Sequence, residues 1–346
     1  MNHTQDLSVS VVIPNRNGAA TLGLCLEAAL ACRYPDFEVL VVDDASCDNS
    51  IEVIQKFPCR LIRLARHGGA ARARNAGAAH ARGAILFFTD ADCLLPPDAL
   101  TRAAAALAAR GATAAVGGTY TPLPYDNSFF SRFQSVFVHY FETRRPRAPD
   151  YLATHALAIS AGVFREHRGF DEDLRPILED VEFSHRLRRA GCRLVMDPAL
   201  QVRHVFNFSL RRSLRNAFVK SLYWTRYSLK NGDLLADSGT AARAFKVNVA
   251  ALFLGAPLFI LGAIGNAHWL LPAGAVTAVN LFINRGLFRA FVAAGGWRFA
   301  LAAACYYLLI YPLPVAAGAG LGAVRHVGAR LHGARGDAAC TRRGVT

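Results

Sequence analysis

Ala84-Ile85-Leu86-Phe87-Phe88-Thr89-Asp90-Ala91-Asp92-Cys93-Leu94-Leu95-Pro96-Pro97 is the stretch on which the reading of this sequence turns. Its short apolar and aromatic run predicts a strand buried on both faces, and it stops at two carboxylates separated by one alanine. In an open parallel sheet, ligands bind beyond the carboxyl ends of the strands, so Asp90 and Asp92 stand where chemistry is expected. Two acids this close repel unless a positive charge lies beside them, and a hydrated divalent cation carrying a diphosphate is the usual answer. Asp-x-Asp also occurs in ordinary loops, so the neighbouring segments decide its meaning.

Working outward, the segments alternate. Val9 to Ile13 is a β-branched run ended by Pro14 and the turn residues Asn15-Arg16-Asn17-Gly18, and Leu22, Leu26 and Leu30 then recur at helical spacing. Glu38 to Val42 is a second strand closing on Asp43-Asp44, Ser46 is placed to cap a helix running to Phe57, and Arg60 to Ala65 is a third strand. After His67-Gly68-Gly69 an alanine- and arginine-rich helix to about Ala81 leads into the opening stretch. This order predicts a doubly wound α/β fold with a mostly parallel sheet. A dehydrogenase has the same alternation, but the loop after the first strand lacks Gly-x-Gly-x-x-Gly.

Pro97 to Arg110 reads as a helix with Pro97 near its first turn, and Ala114 to Gly118 as a strand. Residues 120–150 are rich in Phe, Tyr, Arg and Pro and fit a partly helical excursion of the kind that supplies an acceptor pocket or an aromatic cluster. Beyond Gly169-Phe170-Asp171-Glu172 a helix is expected, with Phe183, Leu187 and Ala190 on one face and Gly191 as its stop. Glu179 and Asp180 fall at its N-terminus, where the macrodipole favours an ionised carboxylate, suiting either a cap or a general base. Arg193 to Met196 reads as a strand, and Val202-Arg203-His204 follows the turn at Asp197-Pro198.

With 346 residues the chain is long enough for two regions of different character. Up to about Leu200 it mixes apolar runs, charges and glycines, and from Val247 onward apolar residues dominate. The net charge of +14 would suit nucleic acid, but no basic array interleaved with aromatics and no zinc-finger spacing accompanies it. Much of the charge flanks apolar segments, so a negatively charged membrane surface is the expected partner. The eight cysteines show neither Cys-x-x-Cys nor metal-ligand spacing, which predicts reduced thiols. Ser8 to Ile13 is too short for the apolar core of an export signal, and the first domain is expected in the cytoplasm.

Ser209 to Lys230 places Leu210, Leu214, Phe218 and Leu222 on one stripe with Arg211, Arg212, Arg215 and Lys220 off it, the pattern of a basic interfacial helix. Val247 to Ile283 contains no charged residue. As one helix it would extend about 55 Å against a hydrocarbon core of about 30 Å, so a hairpin broken near Gly265-Asn266 and Pro272 is predicted. Phe299 to Gly322 is long enough for a further crossing, although Pro312 and Pro314 also permit a re-entrant segment. A third crossing would put Arg325, Arg330, Arg335, Arg342 and Arg343 outside, against the positive-inside tendency. Three spans, about 247–264, 267–283 and 299–322, are nevertheless the expectation. The domains expected are a cytoplasmic catalytic domain over 1–206, interfacial helices over 207–246, a transmembrane region over 247–323 and a basic tail over 324–346, in the cell (inner) membrane as a multi-pass protein.

Taken together, Val9-Ser10-Val11-Val12-Ile13-Pro14-Asn15-Arg16-Asn17, Val41-Val42-Asp43-Asp44-Ala45-Ser46, Ala73-Arg74-Asn75-Ala76-Gly77, Thr89-Asp90-Ala91-Asp92 and Glu179-Asp180 resemble family 2 of the glycosyltransferases, inverting enzymes of the GT-A fold, in order and spacing over about residues 8 to 206. The resemblance implies that Pro14 and Asn17 shape a nucleotide pocket, that Asp44 hydrogen-bonds the base, most simply uracil, and that Arg74 sits near the nucleotide. It implies that Asp90 reaches the ribose or the water shell of a metal, that Asp92 ligates Mg2+ or Mn2+, and that His204 approaches the metal or diphosphate. Asp180 is implied as the general base that takes the acceptor's proton. Arg16 departs from the aromatic residue common in the family, and the segment around His155 lacks the asparagine often found before the Gly-Phe-Asp-Glu turn. The Gln-x-x-Arg-Trp pattern of processive synthases is also missing, which favours addition of a single sugar.

The function expected is therefore transfer of one sugar from a nucleotide-sugar, a UDP-sugar first, to a lipid or lipid-linked acceptor, with no nucleic acid involved. A polyprenyl-phosphate sugar transferase, needing no strong base, is the alternative among enzymes. A catalytically silent nucleotide-sugar-binding scaffold is the alternative of another class, disfavoured by the retention of Asp44, Asp92 and Asp180.

Overall fold

The structure is a computed structural model and describes residues 7–341 apart from 112 and 175, with side chains described to residue 330. Residues 342–346 of the expected basic tail, with Arg342 and Arg343, lie outside the described residues, as does the side chain of Arg335. The chain divides into two compact units, the first reaching Asn207 and including Ser238–Thr240, the second taking Phe208–Asp237 and the chain from Ala241 onward.

The first unit is built on an eight-stranded sheet in the order β3-β2-β1-β4-β7-β6-β8-β5. Strands β1 (Val9–Asn15), β2 (Phe37–Asp43), β3 (Arg60–Arg63) and β4 (Ile85–Phe88) are parallel. Their connecting helices are α1 (Ala19–Leu30), α2 (Ser50–Ile54) and α3 (Ala70–His80). Alternation along β1 sends Val9, Val11 and Ile13 to one hydrophobic core and Val12 to the other, and β4 divides Phe87 from Leu86 and Phe88 in the same way. Strands covered on both faces are what uninterrupted apolar runs produce.

The second half of the sheet is mixed, which the alternation of segments does not predict. Strand β7 (Leu157–Ser160) lies antiparallel between β4 and β6 (Ala114–Tyr120), and β5 (Cys93–Leu94) is antiparallel to β8 (Arg193–His204). The mostly parallel expectation thus holds for β1 to β4, and for β6 with β8, and fails where β7 inserts. Three apolar residues and a serine, without a turn signal, gave β7 no mark in the sequence. Strand β8 also runs through the expected break at Asp197-Pro198, because a register shift opposite Gly117 and Thr119 absorbs the proline. Strand β1 likewise continues through Pro14, opposite Val42. Helices α4 (Ala99–Ala108), α5 (Phe129–Thr143), α6 (Ala161–Glu166) and α7 (Glu179–Arg189) complete the unit.

The second unit is helical: α8 (Leu210–Asn231), α9 (Arg243–Ile264), α10 (Leu270–Cys305) and α11 (Pro312–Thr341). The Ser209 hydroxyl caps α8 by accepting from the Arg212 backbone N–H. Two helical stretches, Arg243–Ile264 and Ala267–Arg330, are long and apolar enough to cross a membrane. The expected break at Gly265-Asn266 is present, whereas Pro272 sits in the first turn of α10, where its missing N–H costs no helical bond. Gly296 (φ 71°) kinks α10, and Tyr306–Ile310 form a π-helical turn in which the Tyr311 N–H reaches the Tyr306 carbonyl at 2.8 Å. That turn strands the Tyr307 carbonyl, since the next N–H in line belongs to Pro312, which has none. The Asn248 side-chain amide fills the vacancy at 2.8 Å, and a buried chain of amides continues from Asn280 to Asn248 (2.9 Å) and from Asn284 to Asn280 (2.9 Å), with the Tyr307 hydroxyl donating to Asn284 (2.8 Å).

Candidate active site

Parallel pairing of β2, β1 and β4 carries their C-terminal ends to one edge of the sheet, with Asp44 just past β2 and Asp90 just past β4. Two inter-strand steps separate them, on the order of 10 Å. Backbone strain gathers at this edge: the non-glycine residues Asn17 (φ 51°), Ala45 (φ 54°) and Leu178 (φ 84°) adopt left-handed conformations beside the expected site residues. A bulky side chain such as Leu178 enters that region only where surrounding structure forces it, and functional loops are where such strain collects.

On the β1–β2 side, Pro14 lies in the strand and Asn17 in the loop after it. The Asn17 N–H donates to the Ser46 hydroxyl (2.9 Å) and its side-chain oxygen accepts from the Cys47 N–H (2.8 Å). Ser46 thus ties two loops together. It does not cap α2, which begins at Ser50, because local loop bonds compete with capping for its hydroxyl. Asp44 is buried, and its carboxylate accepts from the N–H groups of Gly68 (2.6 Å) and Gly69 (2.8 Å) and meets Nδ1 of His67 (2.7 Å). A carboxylate has about four acceptor positions, so three internal contacts leave one for a ligand N–H.

On the β4 side, Arg74 projects from α3 as a buried cation between two acids. Its guanidinium donates to Asp90 Oδ1 and to Glu179 Oε1, each at 2.6 Å. Burial opposes the charge on Arg74, but Asp90 and then Glu179 more than offset it and hold the group firmly protonated. Burial would raise Asp90, and Arg74, aided by His155, instead keeps it below the ordinary carboxylate range. This fork joins the end of β4 to the N-terminus of α7. Asp180 follows Glu179 there, accepting from the Val181 N–H at 2.8 Å. Burial and then the Glu179 charge push Asp180 up to about 7, with Arg74 pulling it back.

Asp92 and His204 meet across the β5–β8 pair, Oδ1 to Nε2 at 3.4 Å, and the Cys93 thiol completes a group of three possible metal-ligand atoms within 4.8 Å of one another. Burial and the Asp90 charge push Asp92 up to about 7. With 40% of its side chain open to water, the Asp90 charge is the durable part of that shift. Burial and the two aspartates push the Cys93 thiol well above its usual range, so the sulfur stays protonated. The His204 ring stacks on Phe206 (3.8 Å between centroids) and meets Tyr120 edge-on (4.8 Å).

Of the residues singled out in the sequence, Arg74, Asp90, Asp92, Asp180 and His204 converge in one electrostatic neighbourhood. Pro14 and Asn17 line the same edge one strand away, at the end of β1, and Asp44 two strands away, at the end of β2. Sequence reasoning missed His155 and Glu142. His155 is buried, stacks on Tyr120 (4.1 Å) and pairs with Glu142 (3.4 Å); burial lowers its basicity, Glu142 more than restores it, and Asp90 and Asp180 add to the effect. A glutamate beside Phe137 and Phe141 on the buried face of α5 was a usable signal for Glu142, whereas an isolated histidine ahead of β7 offered none.

Comparison with known proteins decides the family. The family model "Glycosyl transferase family 2" matches residues 10–169. Residues 10–169 thus carry a glycosyl transferase family 2 domain. The chain is 29% identical over 127 residues to glycosyltransferase GlyG of Streptococcus pneumoniae serotype 4, covering 35% of this chain and 42% of that protein. It is 32% identical over 134 residues to glycosyltransferase AglE of Haloferax volcanii, covering 37% of this chain and 44% of that protein. The chain thus matches less than half the length of these relatives. Among solved structures, the mannosyltransferase PcManGT from Pyrobaculum calidifontis, in complex with GDP-Man and Mn2+, shares the fold with a TM-score of 0.56 at 20% identity, over 92% of this chain and 86% of that one. The architecture is the GT-A fold.

Proposed function

We propose that this family 2 domain is a membrane-anchored inverting glycosyltransferase that moves one sugar from a nucleotide-sugar, a UDP-sugar first, to a lipid or lipid-linked acceptor. The observation that carries the reading is Asp180: a carboxylate with a pKa of about 7 at the N-terminus of α7, one residue from the Glu179 that Arg74 ties to Asp90. A base poised near neutrality is what proton abstraction from an acceptor hydroxyl requires. Attack from the Asp180 side on C1 of the sugar, with departure of the nucleoside diphosphate from the other face, inverts the anomeric centre.

The donor set suits a divalent cation. Asp92 and His204 offer one carboxylate oxygen and one imidazole nitrogen beside Asp90, with the Cys93 sulfur within 4.8 Å of both. An oxygen and nitrogen pair favours Mn2+ over Mg2+, which prefers oxygen alone. Such an ion, when bound, neutralises the diphosphate leaving group. Arg74 keeps Asp90 ionised toward the ribose or the ion's water shell. Pro14 and Asn17 shape the nucleotide side, and Asp44 keeps one acceptor position for the N–H of a base. The two long apolar helices support the anchor, and an active site tethered to a bilayer gains most from a substrate held there.

Thermal unfolding of the purified chain with a panel of UDP-glucose, UDP-galactose, UDP-N-acetylglucosamine and GDP-mannose tests the donor. The midpoint is expected to rise with a UDP-sugar in the presence of Mn2+, and this rise is expected to vanish in Asp92→Ala. No shift with any donor overturns the reading, and a shift without metal-dependent release of nucleoside diphosphate favours the silent nucleotide-sugar-binding scaffold.

A further inference from the structure

We propose that α8 and α11 form a basic platform lying on the anionic headgroups of a bilayer, and that the chain crosses the membrane only twice, through α9 and the first part of α10. This goes beyond the anchor proposed above and rests on that anchor, not on sugar transfer.

The argument starts from how α8 meets α11. A Cβ on Gly318 would collide with the Phe218 backbone, and one on Gly322 would collide with the Leu222 carbonyl, so the two helices touch backbone to backbone along a small-residue stripe. The Tyr306 hydroxyl donates to Ser213 at 2.9 Å. Partners therefore advance together, Ser213 with Tyr306, Phe218 with Gly318 and Leu222 with Gly322, and the helices run parallel. That register puts Arg215 and Lys220 level with the segment 313–322, and Arg226 level with Arg325. Arg211, Arg215, Lys220, Arg226 and Lys230 are all exposed.

A third crossing over 299–322 would carry those side chains into hydrocarbon together with α11. At the centre of a bilayer, each arginine or lysine costs several times what each leucine or valine returns. Seen alone, α11 passes for a span; locked to α8, it does not. The conflict that a third crossing creates with the positive-inside tendency disappears as well.

The hairpin accounts for two crossings. Gly262 packs on Leu270, Gly255 faces Val276, and Asn248 bonds Asn280, so α9 and α10 run antiparallel from the tip near Asn266. Trp269 is exposed at the tip of the hairpin, the kind of depth at which tryptophans collect. Asn284 bonds the Ala244 carbonyl, so Arg285 stands level with Arg243, about 24 Å along the helix from Trp269 against a hydrocarbon core of about 30 Å. Beyond Gly296 the chain doubles back, bringing Phe299 onto Phe291 with centroids 5.9 Å apart. Arg285, Arg289 and Arg298 lie at the same end of the hairpin as Arg243 and Lys246. Exposed Leu309, Ile310 and Leu313 supply an apolar margin beside this basic end.

Labelling with a membrane-impermeant maleimide tests the arrangement on the full chain in sealed native vesicles. Cys47, Cys59, Cys305 and Cys340 are replaced by Ser, and single cysteines are then placed by Asn266→Cys, Ala317→Cys and Ala329→Cys, or restored at Cys47. The expected result is that Ala317→Cys and Ala329→Cys react from the side on which Cys47 reacts, and Asn266→Cys from the opposite side. Reaction of Ala329→Cys with Asn266→Cys, protection of Ala317→Cys from both sides, or reaction of all four from one side overturns the proposal. In phosphatidylcholine nanodiscs, adding phosphatidylglycerol is expected to raise the unfolding midpoint of the wild type, and to do so less in R211Q/R215Q. A wild-type midpoint indifferent to phosphatidylglycerol overturns the headgroup contact. Nucleotide-sugar binding is read separately, so loss of either result leaves the other standing.

Discussion

The Arg74 cluster and the asparagine chain of the helical unit are both buried polar networks, and they are built from opposite materials. Around Arg74, formal charges face one another at 2.6 Å, and acids outnumber the cations. Around Asn248, Asn280, Asn284 and Tyr307 every contact is between neutral groups, and the chain begins at a carbonyl stranded by the π-helical turn. A charged network left short of positive charge is primed to take up a cationic or proton-bearing ligand, at a cost in stability. A neutral network whose donors find acceptors only fixes helices against one another.

The largest expected effect separates these roles. Asp180→Asn is expected to lower turnover about 10²- to 10⁴-fold and to abolish the rise of kcat through pH 7, measured as nucleotide release against pH. The same change is expected to stabilise the folded chain at pH 8. A carboxyl raised to about 7 when folded binds more protons than in the unfolded chain, so its contribution is present at low pH and is lost as pH climbs through about 7. Asp150, held at about 2 by His185, Ser238 and Arg188 against the opposing effect of burial, works in the other direction. Its stabilisation is present above the ordinary carboxylate range and is lost as pH falls through about 2.

Arg74→Met should come next, leaving Asp90 and Glu179 facing each other unneutralised. A loss of about 3–5 kcal/mol is expected in denaturant unfolding, with activity gone. Asn248→Leu strands only the Tyr307 carbonyl and one amide, so about 1–2 kcal/mol is expected in detergent, with nucleotide-sugar binding unchanged. Equal losses from Arg74→Met and Asn248→Leu would erase the distinction between the two networks. Ser238→Ala removes one hydroxyl bond to Asp150, and about 1 kcal/mol is the corresponding expectation, read as a small drop in melting temperature.

The sequence made the parallel half of the sheet legible because each strand there ends in a distinctive polar turn: Pro14 to Asn17, Asp43-Asp44, Thr89 to Asp92. It concealed β7, where three apolar residues and a serine pass between a lone histidine and a short helix, and the mixed half of the sheet followed from that omission. Acids at strand ends and at the α7 N-terminus were visible as candidates. Their common partner was less so, since the 2.6 Å links from Arg74 to Asp90 and Glu179 join residues far apart in the chain. Hydropathy marked the apolar tail correctly but cannot register that α11 is bound to a basic helix, because the contact depends on Gly318 and Gly322, which carry no hydrophobic signal.

The direct test of the central claim is nucleoside diphosphate release by the purified full chain with a UDP-sugar, Mn2+ and a membrane lipid extract, comparing wild type with Asp180→Asn across pH 6 to 9. The account predicts release that rises through pH 7 in the wild type and collapses in the variant, although the variant still binds the donor. Undiminished turnover by Asp180→Asn would contradict it.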